Sequence, residues 1–115
     1  PFEELFFDGS FDTLLAKEKA GEFAEPLEMV RLAPSAVNKQ PWRVVVTENA
    51  VHFFEKHSMQ VEEGHVDMQR IDVGIAINHF HVAVIENGIQ GHFERMVPEF
   101  AVPKDMTYIA SWIKE

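Results

Sequence analysis

The chain has 115 residues, of which 46% are hydrophobic and 25% charged, so it is expected to fold as a single globular domain rather than stay disordered. Nineteen acidic and ten basic residues give a net charge of -9, which excludes nucleic acid and anionic membrane surfaces as partners. The absence of cysteine excludes disulfides, thiolate nucleophiles and cysteine-ligated zinc, so any redox chemistry requires a bound cofactor.

The first third of the chain is predicted to form an arm followed by two helices. Residues 2–11 are apolar and acidic with a turn signal, which predicts an irregular packed arm. A short helix is predicted over residues 11–20, with Gly21 at its carboxyl end. A second helix is predicted over residues 25–33, ended by Pro34.

Extended segments rich in β-branched and aromatic residues predict a small antiparallel sheet. Residues 43–47 and 51–54 are separated by a short turn and predict a hairpin. Residues 107–113 predict a third strand, and residues 89–93 a shorter extended piece. With the helices packed on these strands, the sequence predicts an α+β fold.

A long helix is predicted over residues 67–87, with Asp67 as its N-cap and Gly88 just beyond its end. Its apolar residues are spread around most of the circumference: Ile71, Val73, Ile75, Ala76, Ile77, Phe80, Val82, Val84 and Ile85. That distribution is typical of a helix buried on nearly all sides, and a domain this small cannot surround it. We therefore expect a partner surface to cover one face. No apolar run reaches the roughly 20 uninterrupted residues of a membrane helix. Since the chain has no cysteine, the cytoplasm is the default location.

Six histidines raise the possibility of a metal site, which their spacing does not support. His79 and His81 lie two residues apart on the predicted long helix, so their side chains point about 200° away from each other. His52 and His57 belong to opposite faces of a regular strand. Motifs of hydrolases, P-loop enzymes and Rossmann dinucleotide-binding proteins are also absent from the sequence. We predict no metal site and assign no catalytic side chain.

The junction between the second helix and the first hairpin strand, residues 31–43, carries the strongest chemical signal. Proline, hydroxyl and amide side chains are concentrated there: Pro34, Ser35, Asn38, Gln40 and Pro41. The hydroxyl and the two amides offer donors and acceptors that suit the edge of a flat heterocycle, and the two prolines restrict the loop. An ordinary capped loop with Trp42 as a core anchor explains the same residues equally well.

The stretch PSAVNKQPWRVVV is similar to the flavin-contacting loop and following strand of the FMN-dependent nitroreductase family, in which Pro-Ser, Asn and Gln-Pro-Trp recur at this spacing. The long helix resembles the central dimer helix of that family, and residues 88–91 match the Gly-x-x-Gly segment that follows it. With the closing strand at residues 108–112, the resemblance covers most of residues 25–113. It implies a nitroreductase-like α+β fold with a long central interface helix.

More narrowly, Glu-Leu-Phe-Phe-Asp at residues 4–8, together with the Lys-Gln-Pro-Trp-Arg form of the loop, resembles the second lobe of a two-lobed branch of this family. The resemblance implies that residues 1–115 are one domain, the C-terminal half of a larger protein. A start at Pro1 rather than Met fits that arrangement and fits simple removal of an initiator Met equally. The resemblance also implies cofactor-binding roles for four loop residues, of which the last supports the loop and the others touch FMN held chiefly by the other subunit or lobe: Pro34, Ser35, Asn38 and Gln40.

The family's phosphate-binding residues have no counterpart in this chain. Nitroreductases usually carry an N-terminal Arg-Arg-Ser motif and a C-terminal basic pair, whereas residues 1–12 contain no Arg or Lys and the basic residues Lys104 and Lys114 match no such motif. The resemblance implies hydride transfer from NAD(P)H through FMN to a nitroaromatic, quinone or similar small aromatic acceptor. The partner would be a second copy or a missing N-terminal lobe. The alternative is a non-catalytic dimerisation lobe with an incomplete flavin site.

Overall fold

The computed structural model describes residues 5–33, 40–56 and 68–115. Within these residues the chain forms a five-stranded sheet and two α-helices, which confirms the α+β class. The sheet order is β1-β2-β3-β5-β4. The elements are β1 Phe6–Asp8, α1 Ala24–Arg31, β2 Trp42–Thr47, β3 Ala50–Lys56, α2 Met68–Glu86, β4 Gly91–Glu94 and β5 Met106–Lys114.

The predicted hairpin forms the middle of the sheet together with the last strand. β2 and β3 pair antiparallel from the Trp42–Glu55 pair to the Thr47–Ala50 pair, and β5 pairs antiparallel with β3 on its other side. Nearly all of β3 is buried, including consecutive residues that point to opposite faces of the sheet. Both faces of the sheet are therefore covered.

The prediction of an irregular arm over residues 2–11 is wrong for residues 6–8, because these residues form strand β1. This strand pairs parallel with β2, with Phe6 opposite Val44, so the sheet is mixed rather than purely antiparallel. Phe6 is fully buried, whereas the next residue, Phe7, packs against Phe11 at the opposite face of the sheet, with ring centroids 5.0 Å apart and the rings tilted by 59°. A three-residue strand followed by a glycine carries little local signal, because its partner strand lies far along the chain.

The helix predicted over residues 11–20 is also wrong. The chain turns back over β1, where the amide of Leu15 donates to the carbonyl of Phe6 at 3.0 Å. Only two single 3-10 turns follow, at Lys17–Lys19 and Gly21–Phe23. The return path buries Leu15, which a helix continuing away from β1 would not achieve.

Helix α2 matches the predicted long helix closely, although the proposed N-cap, Asp67, lies outside the described residues. At its carboxyl end Gly88 adopts a φ of 71°, and the amide of Ile89 donates to the carbonyl of Val84 at 2.9 Å. These are the features of a Schellman motif, in which glycine accepts the left-handed conformation without a steric penalty.

The two sides of α2 differ sharply. Its inner side packs on the sheet through four buried residues at helical spacing: Val73, Ala76, Phe80 and Val84. Its outer side exposes a stripe, which we call the outer stripe and which consists of Ile71, Gly74, Asn78, Val82 and Ile85. Ile71, Val82 and Ile85 are 46%, 46% and 62% exposed, respectively, so the described residues leave an apolar face of the helix uncovered.

An aromatic layer covers the face of the sheet opposite the helices. Phe11 lies edge-on to Phe54 with ring centroids 4.9 Å apart, and Phe100 contacts both rings. Tyr108 completes the layer against Phe54 at 5.6 Å. The phenylalanines of the described residues are thus divided between two packing layers rather than gathered in one core.

Candidate functional site

The loop identified from the sequence is described on both sides of its centre. Three of the four predicted cofactor-binding residues, Pro34, Ser35 and Asn38, lie outside the described residues. The fourth, Gln40, is described. Its geometry, together with that of the residues flanking the loop, shows how the chain enters and leaves this segment.

Gln40 ties the end of the loop to the end of helix α1. Its Nε2 donates a hydrogen bond to the carbonyl oxygen of Arg31 at 2.7 Å, which satisfies one of the carbonyls left without a partner at a helix end. The backbone of Gln40 has a φ of 47°, in the left-handed region that non-glycine residues rarely adopt. Such a conformation persists where surrounding contacts determine it, and the side-chain bond supplies one of them.

The residues after Gln40 fix the loop to the sheet. Nη1 of Arg43 donates to the carbonyls of Gln40 and Trp42, each at 2.7 Å. The amide of Lys56, at the end of β3, donates to the carbonyl of Pro41 at 2.7 Å. Trp42 itself is fully buried in the helix-side core, as the capped-loop interpretation expects. The residues at the carboxyl end of the loop are therefore held in place by hydrogen bonds and by the burial of Trp42.

The helix that leads into the loop carries a compact charge cluster. Nε of Arg31 donates to Oε1 of Glu28 at 2.9 Å, and Nζ of Lys17 lies 3.4 Å from Oε2 of the same carboxylate. The hydrogen bond from Arg31 is the main reason that the pKa of Glu28 lies below its ordinary value. The charges of both cations are thus partly balanced within the chain.

A second charged pair lies at the same end of the sheet. Glu55 is fully buried opposite Trp42, and its Oε1 accepts a hydrogen bond from Nε of Arg70 at 3.0 Å. Arg70 is in the first turn of α2, and its side chain is more than half exposed. The pair therefore joins the end of β3 to the start of the long helix beside the loop.

A cavity of about 800 Å³ lies at the opposite end of the sheet, between the carboxyl end of α2 and strands β4 and β5. His81 and Phe93 stack with their ring centroids 5.3 Å apart and an interplanar angle of 27°. Trp112 lines the cavity from within the core, and His92 and Glu115 stand at its edge with Nδ1 and Oε1 3.4 Å apart. This is a volume typical of small-ligand sites.

Both glycines of the Gly-x-x-Gly segment line this cavity. Gly88 forms the helix cap, whereas Gly91 lies directly on the indole of Trp112, where an added Cβ would overlap the ring. A glycine is therefore required at 91 by contact and favoured at 88 by backbone conformation. Sequence spacing identified the segment but not the cavity, whose walls come from separate parts of the chain.

A buried polar network, which sequence reasoning missed, lies beneath the aromatic layer. Nδ1 of His52 and Oγ of Ser111 are 2.6 Å apart, and Nε2 of His52 is 3.1 Å from Oγ1 of Thr47. Ser111 also bonds the hydroxyl of Tyr108 at 2.7 Å. Burial lowers the pKa of His52, so the neutral imidazole is favoured. No sequence motif links residues so far apart.

The other described histidines, His79, His81 and His92, are not grouped into a metal site. In residues 5–33, 40–56 and 68–115, no three His, Asp or Glu side chains are grouped so that they could hold a metal ion. His79 lies in the groove between α1 and α2, whereas His81 faces the cavity. Across the same described ranges, no helix is long and apolar enough to cross a membrane.

Two solved structures share this fold. A nitroreductase family protein from Clostridium difficile 630 superposes with a TM-score of 0.66 at 17% identity, covering 87% of this chain and 72% of its own. A putative nitroreductase from Thermotoga maritima superposes with a TM-score of 0.62 at 20% identity, covering 98% of this chain. This chain spans 40% of the length of the Thermotoga protein. The molecule thus has the nitroreductase-like fold that its loop and long helix predicted.

Family membership rests on the sequence itself. The family described as "Putative TM nitroreductase" matches residues 10–84, well over half of the chain, including the whole loop and most of α2. The chain belongs to this family, which supports a general oxidoreductase function. A search of curated proteins gives no match.

Proposed function

We propose that this chain is one lobe of a cytoplasmic, FMN-dependent oxidoreductase that passes hydride from NAD(P)H to a nitroaromatic, quinone or similar acceptor. Membership of the nitroreductase family is the observation that carries the proposal. In it, residues 1–115 form a single domain, the C-terminal half of a larger two-lobed protein. The alignment of nearly the whole chain with less than half of the Thermotoga protein agrees with this arrangement.

The loop supplies the ring contacts in this proposal, from Pro34, Ser35 and Asn38. Gln40 acts as a positioning residue, because its amide is already engaged with the carbonyl of Arg31 and holds the loop base in place. The flavin, when bound, supplies the hydride-transfer chemistry. The chain's own task is to present a hydroxyl and an amide at the ring edge, where they donate and accept hydrogen bonds.

The cofactor phosphate is expected to bind to the partner. Several basic side chains of this chain are already engaged with acidic ones: Lys17 and Arg31 with Glu28, Arg70 with Glu55, and Lys114 with Glu22. A phosphate carries nearly two negative charges and needs cationic donors that a surface of net charge -9 supplies poorly. The hydroxyl and amide groups of the loop therefore suit the edge of the flavin ring, whereas the small number of available positive charges does not suit the phosphate.

The partner is proposed to dock on the outer stripe of α2. The stripe combines exposed apolar side chains with Gly74, beside which a Cβ would meet no atom within 4 Å, so a second backbone can approach closely. A second copy of the chain or an N-terminal lobe of the same polypeptide would provide the covering surface. The stripe contains no charged residue, so it suits an uncharged face of either partner.

The same balance of charges favours one alternative, a non-catalytic interaction lobe whose flavin site is incomplete. Visible spectroscopy of the purified full-length protein separates the two functions. The enzyme proposal predicts a yellow protein, or one that takes up FMN and retains it through dialysis, and whose flavin is bleached by NADH or NADPH. A protein that remains colourless after FMN addition and dialysis contradicts the enzyme and supports the interaction lobe.

Docking on the outer stripe has its own test. Ile85→Glu places a charge on a side chain that is 62% exposed in this chain, so the fold tolerates it while an apolar interface does not. Val97→Glu is the matched control, since Val97 is 86% exposed on a different surface. If the partner is a second copy, light scattering should show dissociation of the dimer for Ile85→Glu alone. If the partner is a lobe of the same polypeptide, limited proteolysis should show that the two lobes separate in Ile85→Glu alone. Equal behaviour of the two variants rejects the stripe as the interface.

A further inference from the structure

The connection between β4 and β5 lies over the aromatic layer, and we call it the covering segment, residues 95–105. It is irregular, and nearly all of its residues are exposed, whereas Phe100 is half-buried. The ring of Phe100 contacts the rings of Phe11, Phe54 and His52, with centroids 6.0, 5.9 and 5.6 Å away, respectively. A segment with few buried contacts opens more readily than the strands beside it.

A chain of hydroxyl groups connects the covering segment to His52. The amide of Met96 donates to the hydroxyl oxygen of Tyr108 at 3.0 Å, and that oxygen lies 2.7 Å from Oγ of Ser111. Oγ of Ser111 lies 2.6 Å from Nδ1 of His52. On the other side of the ring, Nε2 of His52 lies 3.1 Å from Oγ1 of Thr47. The covering segment and the imidazole therefore belong to one hydrogen-bond network.

This network suits a neutral His52, which has one donor and one acceptor nitrogen. In either tautomer, one of the two neighbouring hydroxyls donates to the ring. Protonated His52 has two donors, so both hydroxyls must turn away from it. Their hydrogens then reach the carbonyl of Ala50 from Thr47, at 3.5 Å, and the carbonyl of Glu94 through Tyr108, at 3.4 Å. Both distances exceed those of ordinary hydrogen bonds, so protonation weakens the network.

The surroundings of His52 also disfavour its charged form. The residue is 4% exposed, and burial lowers the pKa of its imidazole. The charged or titratable groups on the elements around it are either exposed to solvent or bonded to other groups: Asp12, Arg43, Glu48, Glu94, Glu99 and Tyr108. Exposed charges are screened and offset little of the cost of a buried cation. The imidazolium therefore needs water, and the ring of Phe100 lies against it.

We propose that the covering segment opens in response to pH: it is closed while His52 is neutral and lifts Phe100 from the ring when His52 takes up a proton. The closed form dominates above pH 6.5, and opening increases as the pH falls below that value. Opening exposes Phe11 and Phe54 of the aromatic layer without unfolding the sheet. The proposal rests on the contacts of this face of the sheet and is independent of flavin binding.

The first test measures how Phe100 affects the titration of His52. Proton NMR of the full-length protein follows the imidazole signal of His52 against pH, and the loss of that signal in His52→Gln assigns it. The native midpoint should lie below 6.5, and Phe100→Ala should move it upward because water reaches the ring. Phe93→Ala, which removes a ring on the helix side of the sheet, should leave it unchanged. Equal midpoints for the native protein and Phe100→Ala, or the same shift in Phe93→Ala, overturn the proposal.

Hydrogen exchange of the Met96 amide measures the opening itself, because this amide is bonded to Tyr108 in the closed form. After correction for intrinsic exchange, lowering the pH from about 7.5 to about 5.5 should increase opening several-fold and at most about tenfold, the limit for one histidine. His52→Gln should abolish this increase. His92→Gln, which replaces a half-exposed histidine on β4, should retain it. A pH-independent Met96 amide, or the same increase in His52→Gln, contradicts the proposal.

Discussion

The two ends of the sheet differ in how their polar and aromatic groups are used. At the loop end, Gln40 and Arg43 direct their side chains to backbone carbonyls of the same chain. At the cavity end, His81 and Phe93 form a wall beside open space. The ends are separated by the length of β2, six residues or roughly 17 Å.

This separation keeps the two regions of one chain apart. The loop and the cavity lie at opposite ends of the same strands, so a small ligand held by the loop does not reach the cavity of the same chain. In the function that we propose, a partner docked on the outer stripe completes the flavin site at the loop end.

The largest effect is expected from Gly91→Ala at the cavity end. The added methyl group overlaps the buried indole of Trp112, which must shift, so the free energy of unfolding should fall by about 1–3 kcal/mol. Gly74→Ala is the control, because its Cβ meets open space and alanine favours a helix by about 0.5–1 kcal/mol. Urea unfolding of both variants measures the difference. A Gly91→Ala protein as stable as Gly74→Ala contradicts the tight contact.

Gln40→Ala probes the loop end with a smaller expected effect. The substitution removes the hydrogen bond to the carbonyl of Arg31 while the backbone keeps its left-handed conformation, which should cost about 1 kcal/mol of unfolding free energy. Gln90→Ala, at an exposed position of the other end, should change stability by less than about 0.5 kcal/mol. If the Gln40 hydrogen bond had no structural role, chemical denaturation would show similar losses of unfolding free energy for Gln40→Ala and Gln90→Ala.

The smallest effect concerns pH and the buried network between the two ends. Because burial lowers the pKa of His52 below the ordinary value of 6.5, the unfolded chain binds a proton more readily than the folded one. The contribution to stability is fully present above pH 6.5 and is lost as the pH falls from there toward the lower folded pKa. His52→Gln should flatten this part of the stability profile. An unchanged pH dependence in the variant would assign the effect to other groups.

The sequence predicted the regular parts of the fold because their signals are local. The β-branched residues of β2 lie within the strand that they define, and the capping glycine of α2 directly follows the last turn of its helix. β1 was missed because Phe6 becomes a strand residue only by pairing with Val44, and the segment after it turns back for the same reason. The structures of β1 and of the segment after it are therefore both determined by contacts between residues that are distant in the sequence.

The candidate site was predicted only in part. The loop was found because the residues of its motif are contiguous in the sequence. Of the four predicted cofactor-binding residues, Gln40 is described, and it bonds the end of the loop to the end of α1. Contact of the other three residues with the ring stays a prediction. The cavity and the network of His52 and Ser111 escaped notice because their residues come from distant elements with no fixed spacing. Only the register of β3 with β5 brings His52 and Ser111 opposite each other.

FMN affinity of the full-length protein tests the central claim most directly. Asn38→Ala removes a proposed ring contact, whereas Asn49→Ala alters the same residue type in the β2–β3 turn at the opposite end of the sheet. Loss of one hydrogen bond at the ring predicts a dissociation constant about fivefold or more higher for Asn38→Ala, and no change for Asn49→Ala. Equal affinities for the two variants, or no FMN binding by the native protein, would contradict the account.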